Sequence, residues 1–287
     1  MKSKIIFGLI FLFIIVSCAQ QEQIAPQTSK NQMKNVDMLK TNVSGVETEM
    51  VDYGAATGFL AKPKSIRSKA SGELENVSFS SKEGVYPAVV MMHEWWGLND
   101  NIKEMARQLA AEGYVVLAVD LFNGKVAKDS NEAMQLITPL NKNPEEAIKN
   151  MKSAVEFLRS KNYVDKNKIA SMGWCFGGGM SLRLALNEKM AATVIYYGNL
   201  ETDKAKLSTI KWPVLGIFGD KDTSIPVESA RLFHKTLNDL KIENEIHIYK
   251  GVGHAFANPS GMNYAPEETK DAWNKTVDFL NRNLKKK

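Results

Sequence analysis

From residue 86 onward, short apolar runs rich in β-branched residues alternate with stretches of helical period. The alternation predicts strands at 88–92, 114–119, 168–172, 193–197, 214–218 and 245–249, separated by helices. Strands that are apolar at nearly every position suit a mostly parallel twisted sheet with helices on both faces, which makes the expected class α/β. Between the first two strands Ile102, Met105, Ala106, Leu109 and Ala110 recur on one helical face, and Asn101 with Glu104 has capping-box spacing. Pro144, Pro226 and Pro266 each stand where the first position of a helix is expected. In the last of these helices Ala272, Trp273, Thr276, Val277 and Leu280 share one side. Residues 46–53 and 57–61 predict an antiparallel pair at one edge of the sheet, while the polar residues 63–84 are assigned no element.

The first 45 residues follow another pattern. Lys2 and Lys4 precede an uncharged run at 5–16, which has the layout of a signal peptide and is too short for a membrane span. Ile15-Val16-Ser17-Cys18 resembles a bacterial lipobox, so residues 1–17 read as a signal peptide and Cys18 as its lipidation site. A cut after Ala19 under the small-residue rule is the alternative. Residues 18–45, rich in Gln, Asn, Ser, Thr and Lys, cannot repay the entropy of ordering and read as a flexible tether ahead of one domain at 46–287. The expected location is a bacterial cell envelope, membrane-anchored and facing the periplasm or the surface, with a soluble periplasmic or secreted form as the alternative.

Charge changes this picture little. The chain carries 37 basic and 32 acidic residues, formally +5; without Lys2 and Lys4 the count is 35 against 32, or +3. An excess so small and so dispersed is no nucleic-acid footprint. With two cysteines and no Cys-x-x-Cys spacing, a dithiol cycle is not expected either.

Candidate chemistry centres on Gly173-Trp174-Cys175-Phe176-Gly177, a Gly-x-nucleophile-x-Gly turn between a buried-type strand and a helix. Such a turn lifts the central side chain above the sheet, and the helix dipole behind it favours a thiolate. The bland alternative is a small buried hydrophobe in a glycine-rich helix start. A nucleophile needs a base and an acid to orient it. His234 falls within a helix and reads as a surface residue; His247 reads as a solvent-facing position on a strand. His93-Glu94 suggests the zinc motif His-Glu-x-x-His, but Gly97 stands where the second histidine belongs, so no metal is expected. His254, in a glycine-flanked loop after the last strand, remains as the base. Asp220 and Asp222, in the loop after the preceding strand, are both candidates for the acid by position. Nucleophile, acid, histidine is the order found in α/β-hydrolases.

Taken in order, five stretches carry a family resemblance: His93-Glu94-Trp95-Trp96-Gly97-Leu98-Asn99, Gly173-Trp174-Cys175-Phe176-Gly177-Gly178, Tyr196-Tyr197-Gly198, Gly219-Asp220-Lys221-Asp222 and Gly253-His254-Ala255-Phe256. From about residue 51 to residue 283 the chain resembles the dienelactone hydrolase family. The resemblance implies an α/β-hydrolase fold, a Cys175-His254-Asp222 triad, and an oxyanion hole formed by the backbone N–H groups of Trp95 and Phe176. It also implies that Glu94 contacts the thiol in the resting enzyme. Trp96, Tyr197, Lys125 and Asn258 are the expected pocket residues. Gly124 and Asn258 occupy the positions of two arginines that bind a substrate carboxylate in family members acting on dienelactone. Lys125 lacks arginine's planar bidentate fork, so the expected substrate is a small ester or lactone without an obligatory carboxylate. No cofactor is expected, and the expected state is a monomer. The competing reading is an inactive or binding lipoprotein on the same scaffold.

Overall fold

The computed structural model describes residues 45–64 and 85–285. The signal peptide, Cys18, nearly all of the tether and the unassigned residues 65–84 lie outside the described residues. Strands form where the apolar runs predict them: β1 (Val46–Tyr53), β2 (Ala56–Pro63), β3 (Tyr86–Met92), β4 (Val115–Val119), β5 (Val164–Trp174), β6 (Ala192–Tyr196), β7 (Val214–Gly219) and β8 (Asn244–Tyr249). They join in one sheet of order β1-β2-β4-β3-β5-β6-β7-β8. The expected hairpin of β1 and β2 lies at one edge, with β2 antiparallel to β4, and every other pairing is parallel.

Seven α-helices among the described residues cover the sheet: α1 (Asp100–Ala111), α2 (Ser130–Lys142), α3 (Glu145–Arg159), α4 (Phe176–Ala185), α5 (Lys204–Leu207), α6 (Val227–Asp239) and α7 (Pro266–Leu280). Val89 and Met91 pack with the α1 face and with Ala272, Phe279 and Leu280 of α7. Val90 and Met92, pointing the other way, pack with Met151, Val155 and Leu158 of α3. This two-sided burial is why the central strands are apolar at consecutive positions.

Local details depart from the expected pattern. The α1 cap is Asn99, whose Oδ1 accepts the Ile102 N–H at 3.2 Å, because the helix begins two residues before the Asn101 capping box would place it. Pro266 opens α7 at its first turn, whereas Pro144 and Pro226 precede their helices as caps. β5 runs to Trp174 because its pairing continues to Gly173 with β3 and to Trp174 with β6. His247 is half-buried rather than solvent-facing; burial and the nearby Lys275 of α7 push its pKa down.

Register positions the site. Met92 lies opposite Gly173, and Trp174 opposite Tyr196, so β3, β5 and β6 end at one level. Residues that follow these strands therefore meet above the carboxyl edge of the sheet, where open α/β proteins hold their chemistry.

Candidate active site

Cys175 follows β5 with φ 54° and ψ −119°, a strained conformation for a residue with a Cβ. Its N–H donates to the Tyr196 carbonyl at 3.0 Å, and its own carbonyl accepts the Gly179 N–H at 3.2 Å. The flanking glycines are required by close approach. A Cβ on Gly173 would strike the Gly177 backbone, and one on Gly177 would strike the carbonyls of Met92 and His93. The motif thus presses the start of α4 onto the end of β3.

The loops after β7 and β8 bring two more groups to the sulfur. His254 Nε2 lies 3.1 Å from Cys175 Sγ, and His254 Nδ1 lies 2.8 Å from Asp222 Oδ2. Asp222 Oδ1 accepts the N–H groups of Ser224 and Ile225, each at 2.8 Å, so both carboxylate oxygens are engaged. Of the two candidate acids, Asp222 is the one that touches His254. Asp220 instead accepts the Gly251 N–H at 2.7 Å, tying the loop after β7 to the turn before His254. Asn263 donates to the His254 carbonyl at 3.0 Å. The Asp222 side chain is fully enclosed, whereas that of His254 keeps 16% exposure, so of these two the imidazole is the one open to an incoming molecule; Cys175 is also partly exposed. Burial opposes protonation of this ring, but the Cys175 sulfur and the Asp222 carboxylate outweigh it and hold the His254 pKa well above the imidazole range.

Glu94 is buried after β3. Asn258 Nδ2 donates to its Oε2 at 2.6 Å, while Asn258 Oδ1 accepts the Ser260 N–H at 2.9 Å, which fixes the orientation of the amide. Among the expected pocket residues, Asn258 and Tyr197 are enclosed, the Tyr197 ring lying edge-on to His254 at 5.3 Å. Trp96 is partly exposed beside the buried Trp95, their rings 5.0 Å apart, and Lys125 is exposed on the loop after β4. Trp174 packs in the core against Tyr196, and Phe176 packs against Phe122. The N–H groups of Trp95 and Phe176 donate to no backbone carbonyl among the described residues. The Asn258 contact to Glu94 went unforeseen, because the two lie 164 positions apart in the chain. His93, set aside with the incomplete zinc motif, is wholly buried at the centre of this loop cluster.

A mostly parallel sheet of this order, with a strained Gly-x-Cys-x-Gly elbow after its central strand, defines an α/β-hydrolase. One solved structure of that fold is a dienelactone hydrolase-like promiscuous phosphotriesterase from metagenomic libraries, with TM-score 0.72 and 22% identity, covering 84% of this chain and 100% of the other. At that identity the likeness concerns the fold alone. The sequence model of the Dienelactone hydrolase family matches residues 74–284. A Saccharolobus solfataricus protein named "Putative carboxymethylenebutenolidase" is 32% identical over 68% of this chain and 89% of its own length. Protein usf of Aquifex pyrophilus is also 32% identical, over 69% of this chain and 89% of its own. The chain belongs to the dienelactone hydrolase family and is a hydrolase.

Proposed function

We propose that the protein cleaves a carboxylic ester or lactone by covalent catalysis at Cys175. The reading rests on one observation: Cys175 Sγ, the His254 ring and Asp222 Oδ2 stand in an unbroken series, with contacts of 3.1 and 2.8 Å. Cys175 Sγ attacks the acyl carbon, and the N–H groups of Trp95 and Phe176 meet the oxyanion of the tetrahedral intermediate. His254 Nε2 then gives its proton to the departing alcohol oxygen as the C–O bond breaks, leaving a thioester. Water attacks that thioester while passing a proton to Nε2; the sulfur departs, and the carboxylic acid is released.

The surroundings favour a substrate without its own carboxylate near the scissile bond. Glu94 is acidic, and Asn258 presents a neutral amide already engaged with it. Trp96 adds apolar surface at the rim.

Iodoacetamide tests the assignment. A single adduct on Cys175, with activity lost in proportion and protection by an ester substrate, is the expected result. Full modification of Cys175 with activity retained would reject it as the nucleophile.

The pH profile reports on the histidine. Acyl transfer uses the His254 proton, so kcat/KM falls on the alkaline side as that proton is lost. Because the His254 pKa is raised, this limb is expected well above the ordinary imidazole value. Asp222→Asn removes a charge that raises it, so the limb shifts to lower pH, and the rate falls by about 10²-fold or more. A limb that stays in place in Asp222→Asn would show that Asp222 does not set the His254 proton affinity.

A further inference from the structure

His93 is absent from the series above, yet it touches both sides of the cluster. Its ring is fully buried between Phe122, with centroids 4.6 Å apart, and Phe176, with centroids 6.3 Å apart. The Leu121 N–H donates to His93 Nε2 at 3.1 Å. A backbone amide can only donate, so Nε2 is the unprotonated nitrogen and Nδ1 carries the hydrogen. That Nδ1–H lies 2.6 Å from the Glu94 carbonyl, which it therefore donates to. The same carbonyl also accepts the Gly97 N–H, at a longer 3.3 Å.

The Glu94 carbonyl and the Trp95 N–H belong to one peptide unit. No cis peptide occurs among the described residues, so the two groups point in opposite directions from one plane. Holding the carbonyl fixes the direction of the N–H. The adjoining His93 carbonyl lies so close to the elbow that Gly177 has no room for a Cβ, which places this peptide beside the start of α4.

We propose that His93 is a positioning residue for the oxyanion site: by clamping the Glu94 carbonyl through Nδ1–H, it aims the Trp95 N–H at the acyl oxygen bound over Cys175. Leu121, after β4, selects the tautomer that makes the clamp possible, so the loops after β3 and β4 cooperate in it. The inference rests on the hydrolase reading of Cys175 and adds a role for a residue that touches neither substrate nor sulfur. Burial pushes the His93 pKa down, which keeps the ring neutral and Nε2 free to accept.

The test compares two electrophiles on His93→Met and His93→Gln. A trifluoromethyl ketone forms a tetrahedral adduct that needs the oxyanion donors, whereas iodoacetamide alkylates the sulfur at its methylene carbon with loss of iodide and forms no oxyanion. His93→Met is expected to lower kcat and trifluoromethyl ketone affinity by about 10²-fold. Its KM and its rate of Cys175 alkylation should stay within about two-fold of the parent, because the substitution leaves the Cys175–His254 contact in place. His93→Gln retains an N–H donor and an acceptor, and it is expected to recover most of the loss. Equal losses in both reactions, or none in either, would overturn the proposal. Nitrogen-15 spectra of the parent protein supply a check that does not depend on a variant folding. They should show His93 protonated at Nδ1 alone, and protonation at Nε2 would overturn the clamp. If the parent forms no adduct on Cys175 with either electrophile, the assignment of Cys175 as nucleophile itself fails, a result distinct from failure of the clamp.

Discussion

Cys175→Ala is expected to lower kcat/KM for short-chain aryl esters by about 10⁴-fold or more, with the fold intact. In the proposed mechanism the sulfur is the atom that bonds to the acyl carbon, so His254, Asp222 and the backbone donors cannot replace it. What remains is the stabilisation of water attack by the oxyanion donors. Stability should respond in a different way to the choice of substituent. At φ 54° and ψ −119°, any residue with a Cβ is strained, whereas glycine is not. Cys175→Gly is therefore expected to be as inactive as the alanine variant but more stable than it, by about 1 kcal/mol, or roughly 2–4 °C in Tm for a domain of this size. Near-parental turnover by either variant would dismiss Cys175 as nucleophile. A glycine variant less stable than the alanine variant would show that the elbow stores no strain.

Gly177→Ala is expected to destabilise the protein by about 3 kcal/mol or more and to abolish activity. The added methyl group would meet the carbonyl oxygens of Met92 and His93, backbone atoms at the end of a central strand. Neither can withdraw without disturbing the pairing of Met92 with Gly173 or the placement of Glu94 and Trp95. Gly124→Ala is a useful contrast. Gly124 has φ 83°, but a methyl group added there would meet nothing within 4 Å, so its cost should be conformational only, about 1 kcal/mol. Urea titrations compare the two directly. Similar losses would mean that the elbow is not sterically closed.

Much of the architecture is legible from residue type alone. The face Ile102, Met105, Ala106, Leu109 and Ala110 is buried as its period requires, because a helix packed on a sheet must present one apolar stripe. The cap of that helix is not legible in the same way. Asn99 and Asn101 both satisfy the chemistry of a cap, and where the chain leaves the turn after β3 decides between them. Similarly, Asp220 and Asp222 are equivalent by position. Their roles diverge only because the loop after β7 directs one toward Gly251 and the other toward His254.

The sequence by itself determined the alternation of strand and helix, the glycine-flanked elbow around Cys175 and the chain order of cysteine, acid and histidine. These are local properties, set by side-chain period, steric bulk and the geometry of a few consecutive peptides. Residue types and spacing left Asp220 and Asp222 equivalent, and only the family resemblance favoured Asp222; the tertiary structure shows its contact with the imidazole, and it alone decided that Asn258 holds Glu94 and that the His93 ring joins Leu121 to the Glu94 carbonyl. The contacts of Asp222 with His254, of Asn258 with Glu94 and of Leu121 with His93 each span 28 or more positions. The short bond from His93 to the Glu94 carbonyl depends on the last of these, and so on β3 and β4 ending side by side. A hydrogen bond between distant residues requires distances set by strand register and loop direction, and no local pattern of residue types encodes those.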